Sequence, residues 1–397
     1  MTDHMNTAPK AIPSSIDEID TELSADVGSE YDFSNHILDK QTQPLLESAL
    51  LQWTATRWRN KNIKAIASSH SRTEEEASQY LNRLANSAPG TLLSMLPSGK
   101  VEGVTPRVSS KFKSQVISNQ DKWPGLALSD WMMLMCIDAR PKDFPHQLYR
   151  NSEHREVVGW DDYDFVVKGL MKSVADGGKL YKLSDTVSTI FYELFKNTHD
   201  HARADIDGRI IGDSIRSIYA RYYPANKLAR PPLAKSTDAK ERVSPVEWYI
   251  QTILKNQSLD TSGFLELSVF DMGPGLAAKW LSKTELNCGA KEQYEAVLSC
   301  LAKGSSSTQR NGRGFGLWNV LQALRKEKGF IRIRTNGVHA YRQYAMLNDL
   351  GMEESSSGGK TIKEILYDWK RVHVTTPSDY PPAEGTLISV LLPLEGA

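Results

Sequence analysis

One segment constrains the fold more than any other: between residues 184 and 201 the chain reads as a helix with two faces of different character. Val187, Ile190, Phe191, Leu194 and Phe195 recur at the helical period and make an apolar stripe that has to be buried. Glu193, Asn197 and Asp200 fall at i, i+4 and i+7, so three polar side chains share a second face. The elements that follow supply a layer for the stripe. They are an alternating strand over 264–270 (FLELSVF), helices over 291–302 and 316–328, a strand over 330–336 (FIRIRTN) and a closing strand over 386–394 (TLISVLLPL). Gly304 is placed to cap the first of those helices, and Gly329 follows the second. Helices on one face of a mainly antiparallel sheet give an α+β sandwich, which is the expected fold class.

At 397 residues the chain is long enough for two domains. Residues 1–32 are acidic, rich in Ser, Thr and Asp and without periodicity, and are expected to form a disordered tail. Residues 33–162 form an N-terminal region of mixed α/β texture and unassigned function. It holds an amphipathic helix over about 43–61 and a second helix begun by the capping box of Thr73 and Glu76, running to about 87 and ended by Pro89-Gly90. Residues 163–397 form the sandwich, with insertions expected at about 223–262 and 338–382.

Forty-eight basic residues balance 48 acidic ones, so net charge lends nucleic acid no support as a partner. The three cysteines have no CxxC spacing, which argues against a zinc site or a disulfide framework and for a reducing compartment. The N-terminus lacks an apolar core behind a basic start, so no secretory signal is expected. The most apolar run, 126–139, is too short to span a bilayer and contains Ser129 and Asp130, so it reads as core. The expectation is a cytoplasmic protein without a membrane segment.

Two further motifs carry chemistry. Asp271-Met-Gly273-Pro-Gly275 follows the alternating strand directly; a carboxylate at a strand end, with glycines that let backbone approach closely, suits the exocyclic amine of a flat heterocycle. The same sequence is also an ordinary turn. The stretch Lys303-Gly-Ser-Ser306-Ser-Thr-Gln-Arg310-Asn-Gly312-Arg313-Gly314-Phe315-Gly316-Leu317 leads into a helix, where glycine backbone N–H groups and the helix N-terminus suit phosphate. It has neither the surroundings of a dinucleotide fingerprint nor the Gly-Lys-Ser/Thr of a Walker loop. A structural loop is the alternative for this stretch, and a solvated stripe is the alternative for the Glu193 face.

In this order, the helix motif and the two glycine segments resemble the N box and glycine boxes of the GHKL superfamily, the ATP domain shared by DNA gyrase, MutL, large heat-shock chaperones and histidine kinases. Gly385-Thr386 and the strand after it resemble the closing strand of the histidine-kinase branch, whereas Glu193 at its place in the helix looks like the gyrase and MutL branch. The resemblance covers about 183–393. It implies a Bergerat-type sandwich that binds ATP and Mg²⁺, with Glu193 as general base, Asn197 as the Mg²⁺ ligand and Asp271 on the adenine amine supported by Thr386. Asp200 is placed beside the metal or at the nucleotide edge, and Gly273 and Gly275 in the adenine turn. Gly312, Gly314 and Gly316 would cradle the phosphates, flanked by Phe315 and Leu317, under a lid over 305–313 that includes Ser306. Lys303, Arg310 and Arg313 would face the γ-phosphate, or be solvated loop cations. His199 and His201 read as hydrogen-bonding neighbours of the site rather than acids.

Three functions fit these residues. The first is an ATPase whose lid closure drives rearrangement of a protein partner or homodimer. The second is a protein kinase of the histidine-kinase or anti-sigma type, although His154 does not sit in a two-helix hairpin pattern. The third is a nucleotide-sensing adaptor without turnover. No gyrase-type transducer segment follows the motifs, so slow hydrolysis, or dependence on a residue from a partner, is expected.

Overall fold

The computed structural model describes residues 10–25, 29–33, 43–60, 63–66, 73–96, 101–102, 106–122, 130–151, 156–170, 177–212, 214–228, 243–256, 261–283, 286–302, 316–345, 352–356 and 359–395. The chain divides into two units, Met1–Gln120 and Asp121–Ala397.

The first unit carries a parallel sheet of four short strands in sequence order, β1 (Lys10–Ala11), β2 (Ser29–Asp32), β3 (Ile63–Ile66) and β4 (Val101–Glu102). Between them run α1 (Ile16–Ser24), α2 (Leu46–Arg59), α3 (Glu74–Leu84) and α4 (Ala88–Met95), and α5 (Pro106–Lys122) follows β4. The expected disordered tail over 1–32 is corrected here, because part of it is ordered structure. Ser15 caps α1 by accepting from the Glu18 N–H at 3.2 Å, the Glu18 carboxylate takes the Ser14 N–H at 2.7 Å, and Ile16 and Ile19 are buried. This is a Ser-x-x-Glu start of the kind recognised at Thr73. At Thr73 the capping box forms as expected. Pro89-Gly90 does not end a helix. Ser87 starts a new one there, with Pro89 in the first turn, where its missing N–H costs no helical hydrogen bond. The helix expected over 43–61 is α2, but it is buried from Leu46 to Arg57 rather than amphipathic.

The second unit is α+β. Its sheet has seven strands in the order β14-β11-β10-β15-β9-β8-β5, each pair antiparallel. The strands are β5 (Trp131–Ile137), β8 (Ile215–Pro224), β9 (Thr261–Asp271), β10 (Phe330–Asn336), β11 (Val338–Gln343), β14 (Tyr367–Asp368) and β15 (Ala383–Glu395). Two hairpins lie outside this sheet, β6 (Tyr149–Asn151) with β7 (Glu156–Val157), and β12 (Met352–Ser356) with β13 (Gly359–Lys363). The helices are α6 (Asp164–Leu170), α7 (Gly177–Tyr181), α8 (Ser184–His201), α9 (Pro245–Lys255), α10 (Leu276–Leu281), α11 (Ala290–Leu301) and α12 (Gly316–Lys326).

The apolar stripe of α8 is buried as its period requires: Ile190, Leu194 and Phe195 share one core with Val320 and Leu324 of α12. Leu267 and Val269 of β9, Ile333 of β10 and Ile388 of β15 face this core from the sheet. Side chains one residue out of step point to the other face. That face is covered too, since Tyr249 of α9 packs on Phe264 and Phe330, with ring centroids 6.1 and 5.3 Å apart.

Three boundaries differ from the sequence reading. The second unit starts at Asp121 rather than about 163, because β5, drawn from the apolar run 126–139, pairs with β8. The stretch 338–382 is not simply an insertion: it supplies β11 and β14 to the sheet, and its Trp369 stacks on His339 at 4.5 Å. Within 223–262, α9 is a capped helix built onto the sheet face. Gly304 and His154 lie outside the described residues. Among the described residues no helix is long and apolar enough to cross a membrane.

Candidate functional site

A cavity of about 380 Å³ opens where α8, the end of β9, α10 and the start of α12 meet. From α8 it receives Glu193, Asn197 and Asp200, the polar face distinguished by spacing. Asp271 lines it at the end of β9 and Gly275 in the turn that follows, Gly316 and Leu317 at the head of α12, and Thr386 on β15. Residues from four separate stretches of sequence thus share one wall. Gly273 sits just behind, donating its N–H to Asp271 Oδ1 at 2.9 Å. Lys303, Ser306, Gly312, Arg313, Gly314 and Phe315, Arg310 and the lid expected over 305–313 lie outside the described residues.

Gly275 is required by its backbone, and Gly316 marks a close approach of two helices. Gly275 has φ +87°, and a Cβ there would come within 2.4 Å of Asn336 Oδ1. The Asn336 amide in turn donates to the Pro274 carbonyl at 2.9 Å, so the turn after β9 is held from β10. Gly316 opens α12 directly against α8, where a Cβ would meet Glu193 Oε2 at 3.0 Å and Asn197 Nδ2 at 3.4 Å. Close approach therefore brings the helix N-terminus, with its positive end, onto the two polar side chains of α8.

Asp271 is the buried charge of the site. Burial drives its carboxyl up to about 7, against the lowering effect of the Gly273 and Thr386 backbone N–H groups and of Arg216, with Glu384 adding a smaller rise. Asp271 is paired in register with Thr386 on one side and with Arg216 on the other. The fully buried Arg216 is neutralised by Asp138, with Nε at 3.2 and 3.1 Å from the two carboxylate oxygens and Nη2 at 2.6 Å from Oδ1. Its Nη1 donates to the Tyr149 hydroxyl at 2.7 Å, and that hydroxyl meets His199 Nδ1 at 2.9 Å. Burial first, then Arg216 and Arg203, pull His199 down to about 4, so its imidazole is neutral near pH 7. His199 is a hydrogen-bonding neighbour, in keeping with the reading from sequence.

The raised titration of Asp271 makes stability depend on pH. The folded carboxyl keeps its proton up to about 7 while the unfolded one loses it near its ordinary value. Stability is therefore fully present in acid and falls as pH rises from the ordinary Asp range through about 7. A ligand amine that donates to Asp271 prefers the ionised form, so if the site takes the adenine that the motifs imply, adenosine affinity is expected to rise with pH through about 7 and then level off. Calorimetric titration with adenosine, which carries no titrating phosphate, measures this. Affinity that falls with rising pH would mean that a neutral carboxyl donates to the ring instead.

Several site residues escaped the sequence reading. Asn319, one turn into α12, donates to Glu193 Oε1 at 2.7 Å. Thr335 ties the turn after β9 to the Gly385 strand, accepting the Leu276 N–H at 2.9 Å and donating to the Gly385 carbonyl at 3.0 Å. Lys196, Lys279 and Trp280 also line the cavity. The one local signal for Asn319 is its place three residues after Gly316; Asp138, Tyr149 and Arg216 offered none. No family model, no curated protein and no solved structure matches the chain.

Proposed function

We propose that the chain binds Mg-ATP in this cavity and hydrolyses it, with Glu193 as the general base. One observation carries the reading: Glu193, Asn197, Asp271, Gly275, Gly316 and Thr386, recognised as motifs in separate segments, line the same cavity. Chance turns and surface stripes have no reason to converge. In this reading the second unit is a Bergerat-type sandwich of the GHKL superfamily. Asp271 accepts from the adenine amine, and the amides at the head of α12 receive phosphate oxygens.

The Asn197 side-chain oxygen, which lines the cavity, would hold Mg²⁺, an ion that takes few protein oxygens beside phosphates and water. The ion would supply charge neutralisation on the phosphates. Glu193 takes a proton from a water molecule as the water oxygen bonds to the γ-phosphorus. The bond from that phosphorus to the bridging oxygen breaks, ADP leaves with the electron pair, and the proton on Glu193 returns to solvent. The cycle would rearrange a protein partner or a second copy of the chain.

The test is calorimetric titration with ATP and Mg²⁺ together with γ-labelled ATP. Label is expected to appear as inorganic phosphate. Stable label on this chain or an added partner would make it a kinase, and binding without turnover would make it a nucleotide sensor.

A further inference from the structure

We propose that Asn319 is the positioning residue for Glu193, its side-chain amide fixing one carboxylate oxygen so that the other is presented to the nucleotide. The proposal rests on the reading of Glu193 as general base. A glutamate on a helix has three rotatable side-chain bonds, and a base must hold its acceptor in one direction to be effective. Asn319 Nδ2 donates to Glu193 Oε1 at 2.7 Å across the α8–α12 contact, and both side chains line the cavity. Glu193 Oε2 lies against Gly316, 3.0 Å from where a Cβ would stand, beside the Asn197 amide.

The neighbours on α8 are engaged elsewhere. Lys196 pairs with Asp200 at 3.0 Å, and Thr189 bonds the Asp185 carbonyl at 2.9 Å and the Trp160 ring N–H at 3.0 Å. Among the described residues Asn319 is thus the side chain that restrains Glu193. The choice of an amide matters chemically. A lysine here would neutralise the carboxylate and oppose its taking up a proton, whereas an amide donates without adding charge. Because Asn319 sits in the first turn of α12, it also ties Glu193 to the helix end facing the phosphates, so base and phosphate site keep one relative position.

Phosphate release and ATP titration are compared for wild type, Asn319→Ala, Glu193→Ala and the double variant, each checked for folding by thermal melting. Asn319→Ala is expected to lower kcat roughly 10–100-fold with unchanged ATP affinity. In the Glu193→Ala background it should cost nothing further, because residues acting as a unit are not additive. A second variant, Asn319→Asp, places two carboxylates side by side that cannot both ionise freely. Its kcat–pH profile should be displaced to higher pH relative to that of the wild type. Equal losses from Asn319→Ala in both backgrounds, or lowered ATP affinity in both, would show mere helix packing and overturn the proposal. Undiminished kcat in Asn319→Ala beside an impaired Glu193→Ala would overturn it while leaving the base assignment standing. A Glu193→Ala variant as active as wild type would remove the base assignment and this role together.

Discussion

Glu193→Ala is expected to cut phosphate release by roughly 10²–10⁴-fold, the usual contribution of a general base, while ATP affinity stays nearly constant. Binding and chemistry should separate because, in the proposed mechanism, the carboxylate grips the attacking water and not the ground-state nucleotide. The structure makes this a clean substitution. Glu193 is only partly buried, its apolar neighbour Leu194 carries the core packing, and the partner left behind, Asn319, borders the cavity and can be hydrated. Single-turnover and steady-state release with γ-labelled ATP read the effect. Undiminished release from a folded variant would sink the hydrolase assignment.

The second large effect is expected at Asp271, where alanine should weaken ATP binding by roughly 10²-fold or more, the cost of truncating one side of a buried charge-assisted contact. Turnover should fall with it at low ATP. Asp271 is buried at the cavity wall, in register between Arg216 and Thr386, and it is the carboxylate held at the end of β9. Removing it also leaves the Gly273 N–H without its acceptor, so melting temperature must be measured beside affinity. The isosteric Asp271→Asn keeps an acceptor oxygen but cannot titrate, so its adenosine affinity should no longer change with pH around 7. Unchanged ATP affinity in both folded variants would reduce Asp271-Met-Gly273-Pro-Gly275 to a structural turn.

Local sequence reveals Glu193 and Asp271 but not every residue that holds them. The α8 motif was legible because helical period places Glu193, Asn197 and Asp200 on one face whatever surrounds the helix. The glycines after β9 were legible because a positive φ at Gly275 demands that residue type. Thr335 was not, since its role depends on β10 lying between the turn and the Gly385 strand. The ordered first helix was missed although Ser15 and Glu18 spell a capping start, because the acidic composition around them outweighed two buried isoleucines.

What the sequence determined by itself is the local part: the extent of α8, α11, α12 and β10, and the two-faced character of α8. Helical and strand periods, caps and turn glycines act over a few residues, so they can be read without knowing the fold. The tertiary structure decided the rest. It drew β5 from before residue 163 into the sheet and set Arg216 beside Asp271. It enclosed Asp271 enough to move its titration to about 7, and brought Asn319 to Glu193 across 126 residues of chain. Burial and long-range hydrogen bonds depend on which surfaces meet when the layers pack, and no local period records that choice.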